Sequence, residues 1–277
     1  MAEKSILITG SSSGIGYDCA QYLRRKGWRV FASCRAEADC ERLRGEGFEA
    51  PRIDYEDEAS IESGLAEVLE ATGGTLDALF NNGAYAIPGA GEDLPRAALR
   101  QNFEANLFGY HDLTCRVIPV MRAQGHGRIL NCSSVLGFAA LRWRSSYNTT
   151  KFAMEGLSDT MRLELKPSNI HVILIQPGPI GTEIRQNSIA HFERWIDWEN
   201  SALRNLYEKA LIPRLYAEAS GPDPFELTPR AVSIKVHRAL SDRRPASRYK
   251  ITTPTYLLAA ARRILPRRML DALLVRF

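Results

Sequence analysis

The sequence predicts an α/β fold: one doubly wound parallel sheet, with a helical segment over one end and a helical tail. Three observations carry this. Short apolar runs alternate with stretches of helical periodicity over about the first 180 residues. The first run ends in a glycine-rich turn that opens a helix. After Pro177-Gly178 the regular alternation lapses. Strands that alternate with helices pair in parallel, and right-handed crossovers lay the helices on both faces of the sheet.

Strands are expected at residues 5–9, 29–34, 50–54, 76–81, 128–132 and 171–176, with a last one at 249–253. Ile15, Cys19 and Leu23 repeat at four and mark the first helix, which Gly27 stops. Phe103, Leu107, Tyr110, Thr114, Val117 and Met121 alternate steps of four and three, as one face of a helix does. Thr150, Met154, Leu157, Met161 and Leu165 do the same until Pro167 ends the pattern. Thr228-Pro229 reads as an N-cap with Pro at the first helical position, opening a helix to about residue 240. The expected organisation is a domain over 1–254, with a lid at about 183–227, and a tail over 255–277.

The chain has 277 residues, enough for a sizeable core. Its 36 basic and 32 acidic side chains leave a net charge of +4, too small to imply a nucleic-acid partner. Cys19, Cys34, Cys40, Cys115 and Cys132 are odd in number and irregularly spaced. They read as reduced thiols of a cytoplasmic protein rather than a disulfide framework or zinc site. The five histidines are scattered, so no metal is expected. The N-terminal stretch reads as a strand, not a signal peptide, and no run is long enough to span a bilayer.

The turn Thr9-Gly-Ser-Ser-Ser-Gly-Ile-Gly16 lies between a strand and a helix, where a dinucleotide pyrophosphate would sit. Gly10 permits the tight turn, Gly14 lets the backbone approach the phosphates, and Gly16 lets the helix pack on the sheet. The helix N-terminus offers free N–H groups around Ile15, and Ser11, Ser12 and Ser13 add hydroxyls. The second strand ends Ser33-Cys34-Arg35, without the carboxylate that would bind a ribose 2′-hydroxyl. Arg35 can instead grip a 2′-phosphate, so the expected cofactor is NADP(H); Glu37 is the one carboxylate placed to compete for the ribose.

Tyr147 and Lys151 stand four residues apart, on one face of a helix. A free phenol, with a pKa of about 10, is a poor base near neutrality. A neighbouring ammonium favours the phenolate, and a tuned tyrosine can exchange a proton with an alcohol oxygen.

Taken together, these motifs resemble the short-chain dehydrogenase/reductase superfamily over residues 4 to 182. Thr9–Gly16 matches its glycine turn. Asn81-Asn-Gly-Ala84 matches its Asn-Asn-Ala-Gly strand end with the last two residues exchanged. Ser134 lies thirteen residues before Tyr147, and Asn106 matches the family's catalytic asparagine. The resemblance implies a Rossmann domain. In it Tyr147 would exchange the proton, Lys151 would lower the phenol's pKa and bond the nicotinamide ribose, and Ser134 would hold the substrate oxygen. Asn106 would help hold a water leading from Lys151 to solvent. It also implies Asp54 near the adenine, Asn82 and Gly83 near its ribose, and Pro177, Gly178, Ile180 and Thr182 on the nicotinamide side. Where many NADP-using members carry a basic residue, this chain has Ser13, which leaves Arg35 with most of the phosphate recognition.

The motifs look most like those of hydroxysteroid and retinol dehydrogenases and of bacterial aldehyde and ketone reductases. The expected reaction interconverts a hydrophobic carbonyl, steroid-, retinoid- or lipid-like, and its alcohol. The lid's Phe192, Trp195, Trp198, Leu203, Tyr207 and Tyr216 either line the site for such a substrate or pack the lid on the body. In the tail, Met269, Leu270, Leu273, Leu274 and Phe277 share one helical face among five arginines. That face either lies on an anionic membrane or docks on the body or a second subunit. The stripes at 103–121 and 150–165 resemble the family's pairing helices, which implies a homodimer. A 3-oxoacyl-type reductase and a non-catalytic NADP(H)-binding, membrane-associated protein are the competing readings.

Overall fold

The computed structural model describes residues 3–217 and 221–276. Its centre is a six-stranded, wholly parallel sheet of β1 (Lys4–Ile8), β2 (Trp28–Ala32), β3 (Ala78–Asn81), β4 (Gly127–Cys132), β5 (Ile170–Pro177) and β6 (Arg248–Ile251), in the order β2-β1-β3-β4-β5-β6. The helices of the body are α1 (Gly14–Arg25), α2 (Glu37–Gly45), α3 (Glu58–Thr72), α4 (Arg96–Phe103), α5 (Gly109–Ala123) and α6 (Ser145–Glu164). The lid contributes α7 (Ile184–Trp195), α8 (Arg204–Leu206) and α9 (Ile212–Tyr216). Then follow α10 (Pro229–Ser241), α11 (Thr253–Ile264) and α12 (Arg267–Leu274), the last two parted at Pro266.

The period-two geometry of a strand sorts its side chains onto two faces. Ile6 and Ile8 meet Cys19 and Leu23 of α1 and Val232 and Val236 of α10. Leu7, between them, points the other way, to Leu65, Val68, Leu113, Val117 and Met161 of α3, α5 and α6. Both faces are therefore covered, as an all-parallel sheet requires.

Two expectations need correction. Residues 50–54 are not a sheet strand. Beside β2 the ladder is reduced to isolated bridges, at Glu49 with Phe31 and at Arg52 with Cys34, with Ile53 N donating to Cys34 O at 3.0 Å. Pro51 lacks an N–H and breaks the ladder there. The stripe from Phe103 to Met121 is not one α-helix. A π-helical turn, Glu104–Phe108, separates α4 from α5, and Asn106 lies inside it. Such turns pass unseen in a three-and-four repeat because they insert only one extra residue.

Candidate active site

The chain runs outward from β1 to β2, then returns to β3 on the other side of β1. That reversal opens a crevice at the carboxyl ends of β1 and β3. Gly10, at φ +62°, turns the chain there; a Cβ on it would stand 2.4 Å from Gly83 Cα, and one on Gly16 would stand 2.2 Å from Gly10 O. Only glycine permits this closeness. Asn82 holds the turn from β3, its Nδ2 donating to Thr9 O and Gly10 O at 3.2 Å each, while its N–H donates to Thr9 Oγ1 at 2.9 Å. Gly83 does not adopt a positive φ, so its exchange with Ala84 leaves ordinary backbone behind.

A groove of about 840 Å³ runs from this turn. Ser12, Ser13, Gly14, Ile15, Arg35, Asp54, Asn82, Gly83, Tyr147, Lys151 and Thr182 line it. Ser13 precedes α1 without spending its hydroxyl on a capping bond, and Gly14 sits at φ +56°. Unspent hydroxyls, a helix N-terminus and side-chain-free backbone are the donor set a dinucleotide phosphate needs, so the residues present fit that cofactor. Thr182 closes the far side, its Cγ2 lying 3.2 Å from where a Gly14 Cβ would be.

Pro177, Gly178 and Ile180 do not line the groove. They fix the segment's course instead: Gly178 N donates to Ile251 O at 3.1 Å, and Ile180 packs on the core and bridges to Leu227. At the other end Glu37 is drawn aside by Arg44, at 2.5 Å. Asp39 lines the groove beside Arg35, in an ion pair with Arg42 at 3.5 Å. Arg42, missed by sequence reasoning, also donates to Ser12 O at 2.7 Å and steadies the turn from outside.

Tyr147 and Lys151 come from the first turns of α6 and face the end of β4. Lys151 is buried; its Nζ lies 5.4 Å from the Tyr147 ring centre and donates to Cys132 O at 2.6 Å. Burial lowers its pKa to about 8. Tyr147 is held above its ordinary value, because burial outweighs the Ser134 hydroxyl and the Arg144 guanidinium, which pull it down. The spacing alone predicts the opposite, with Lys151 as the chief lowering influence. Ser134 sits at the head of the 3₁₀ turn Val135–Gly137, where its Oγ accepts from Leu136 N at 3.1 Å.

Asn106 reaches this centre at one remove. Its Nδ2 donates to Tyr85 O at 2.8 Å and to Thr150 Oγ1 at 3.3 Å, tying the π turn to the β3–α4 segment and to α6. Beneath Ser134, the buried Glu155 accepts from Ser133 Oγ at 2.5 Å, Gln176 Nε2 at 2.8 Å and Arg248 Nε at 3.1 Å. Sequence reasoning missed Glu155, although a carboxylate one turn beyond Lys151 on the buried face was a signal.

The lid's aromatic residues are mostly spent on packing. Phe192 and Tyr207 are fully buried with Tyr85, Ile87 and Ala98, and Trp143, Trp195, Trp198 and Leu203 join them. Tyr207 also donates to Asp93 at 2.7 Å. The lid residues on the groove are Glu183, Ile184, Gln186, Asn187, Ala190 and His191, a largely polar set. In the tail, Leu270 and Leu274 bury themselves against Val135 and Ala139, the turn that Ser134 heads, and Arg262 Nη1 donates to Phe138 O at 2.8 Å. Met269 is exposed, Leu273 half-buried, and Phe277 lies outside the described residues. No helix among the described residues is long and apolar enough to cross a membrane.

Comparison with known proteins agrees with this geometry. Residues 4–192 match the family model for short chain dehydrogenase. The chain is 36% identical over 273 residues to the uncharacterized oxidoreductase YbbO of Escherichia coli K12, covering 98% of this chain and 94% of that one. It is 33% identical over 196 residues to human retinol dehydrogenase 8, covering 68% and 63%. A short chain dehydrogenase/reductase of Burkholderia phymatum, solved in complex with NAD, superimposes with a TM-score of 0.78 at 22% identity, over 99% of this chain and 95% of that one. With a glycine turn, a Ser-Tyr-Lys centre and a family match reaching from β1 into the lid, the chain belongs to the short-chain dehydrogenase/reductase family of oxidoreductases.

Proposed function

We propose that this oxidoreductase uses NADP(H) to interconvert a hydrophobic aldehyde or ketone, lipid-, retinoid- or steroid-like, and its alcohol, with Tyr147 as the general acid and base. The observation that carries this is the convergence of Ser134, Tyr147 and Lys151 at the end of β4, beside a groove suited to a dinucleotide. The cofactor, when bound, supplies or accepts the hydride. The Ser134 hydroxyl would steady the carbonyl oxygen as negative charge gathers on it, and the Tyr147 phenol would deliver its proton there. Lys151, charged below about pH 8, would restore that proton. A phenol kept protonated by burial suits the reducing direction at neutral pH.

Arg35 on the groove, with Glu37 held away by Arg44, supports NADP(H) over NAD(H). The apolar character of the substrate rests on relatives such as retinol dehydrogenase 8 rather than on the lid aromatics. A homodimer belongs to the same reading, supported by Phe108, Phe152 and Leu163, which α6 and the turn between α4 and α5 leave exposed. Peripheral membrane contact would use what the docked tail leaves outside, Ile264 and Met269 among its arginines.

NADPH consumption over retinal, fatty aldehydes, ketosteroids and acyl thioesters tests the activity, with Tyr147→Phe as the blank. Turnover of at least one carbonyl, reduced about a hundredfold or more in the variant, is expected. Near-full turnover by Tyr147→Phe would sink the mechanism.

A further inference from the structure

Arg144 immediately precedes α6 and lies three residues ahead of Tyr147, close enough for each charge to bear on the other. Its backbone is pinned on both sides. Gly89 N donates to Trp143 O at 3.1 Å, Gly89 and Arg144 form an isolated bridge, and Asn148 N donates to Arg144 O at 2.7 Å. Trp143, just before it, takes φ +62°, a left-handed conformation that strains a bulky residue. The Trp143 ring sits 4.8 Å from that of Tyr207 in the lid, which holds the strain in place. Strain of this kind persists only where the surroundings over-determine it, and it gathers at ligand clamps. Here it fixes the course of the chain into Arg144.

Among the described residues Arg144 has no ion-pair partner and makes no side-chain hydrogen bond. Its charged neighbours are two more cations, Arg214 of α9 and Arg185 of α7. Burial first, then these two, pull its guanidinium below its ordinary value. Asp223 serves the lid pair, at 2.5 Å from Arg185 and 4.0 Å from Arg214. Arg185 and Arg214 thus share Asp223, and among the described residues no carboxylate pairs with Arg144. A half-buried guanidinium without a counter-charge is unfavourable, and an incoming anion relieves it. Guanidinium forks match carboxylate and phosphate oxygens two at a time.

We propose that Arg144, with Arg185 and Arg214 of the lid, binds a carboxylate or phosphate carried by the carbonyl substrate and so sets its reacting carbon before Tyr147. The substrate is then amphipathic, an apolar body with an anionic head. This deepens the Tyr147 reading and rests on it.

The test compares 4-oxobutanoate, 6-oxohexanoate and 9-oxononanoate with their methyl esters as substrates for the full chain with NADPH. Glyceraldehyde 3-phosphate against glyceraldehyde is the phosphate arm. One acid, or the phosphate, should exceed its neutral partner by about 10- to 100-fold in kcat/KM, the discrimination expected of a charge-assisted pair. That ratio should collapse towards one in Arg144→Gln and return in part in Arg144→Lys. A separate binding arm titrates unreactive nonanedioate, its dimethyl ester and inorganic phosphate into the NADP⁺-loaded protein. Tighter binding of either anion by wild type than by Arg144→Gln supports the site even if no carbonyl is turned over, in which case the Tyr147 reading alone has failed. Equal handling of acids and esters, or a ratio unmoved by Arg144→Gln, with no Arg144-dependent anion binding, overturns the proposal.

Discussion

The side-chain amide of Asn106 grips the backbone of Tyr85 from both sides: Tyr85 N donates to its Oδ1 at 3.1 Å, and its Nδ2 donates back to Tyr85 O at 2.8 Å. Asn106 is fully buried, so Asn106→Ala would strand Tyr85 N without solvent to replace the amide, while Tyr85 O keeps a bond from Asn102 Nδ2 at 3.0 Å. A loss of about 1–3 kcal/mol is expected, the cost of one buried group left unpaired. Urea unfolding measures it. A midpoint unchanged from wild type would mean that the π turn holds the Tyr85 segment without Asn106.

The pH profile separates the roles of Tyr147 and Lys151. The Tyr147 phenol, raised by burial, stays protonated through neutrality, and Lys151 keeps its proton below about pH 8. Carbonyl reduction should therefore be level up to about pH 8 and fall as pH rises through it. Alcohol oxidation, which needs the phenolate, should climb over the same range. Lys151→Arg keeps its charge and should move the fall in reduction to higher pH. Reduction that holds constant to pH 10 in wild type would remove Lys151 from the proton path.

Cofactor choice should respond to Arg35. Steady-state kinetics with NADPH and NADH, in wild type and Arg35→Asp, should show the NADPH preference falling by at least tenfold, as loss of a charge-assisted phosphate contact predicts. Glu37→Gln should change the ratio little, because Arg44 already holds that carboxylate aside. An unmoved ratio in Arg35→Asp would transfer the recognition elsewhere on the turn.

Gly10 and Gly83 touch, yet they should tolerate alanine differently. Gly10→Ala places a Cβ 2.4 Å from backbone that cannot swing away, at φ +62°. The left-handed conformation alone costs an L-residue about 1–2 kcal/mol. Weakened folding and loss of NADPH binding are expected. Gly83→Ala meets Gly10 Cα at 3.3 Å in an ordinary conformation, so a change within about 1 kcal/mol is expected. Thermal unfolding with and without NADPH ranks the two; equal damage from both would contradict the geometry.

The sheet and the cofactor turn were legible because local rules govern them. Apolar runs placed all six strands of the sheet, with the excess at 50–54, and glycines at positions 10, 14 and 16 announced the close approach that the structure shows. Tyr147, Lys151 and Ser134 were legible through spacing. What stayed hidden depends on contacts distant in sequence. Nothing local reveals that Glu155 would meet Arg248, or that Phe192 and Tyr207 would be used up against Tyr85 and Ile87. The π turn was hidden for a subtler reason, since one extra residue leaves an apolar stripe almost intact. The perturbed phenol reflects burial, which a Tyr-Lys spacing does not encode.

Leu270 and Leu274 brace the turn that Ser134 heads from about half the chain's length away. Synthesis runs from the N-terminus, so the glycine turn, the groove and the Tyr147 helix can be in place while α12 is still inside the ribosome. The nascent chain would have the lining of the groove in place before the turn at Ser134 is braced. A chain cut before Arg267 would keep the lining of the groove and lose the packing of α12 on Val135 and Ala139.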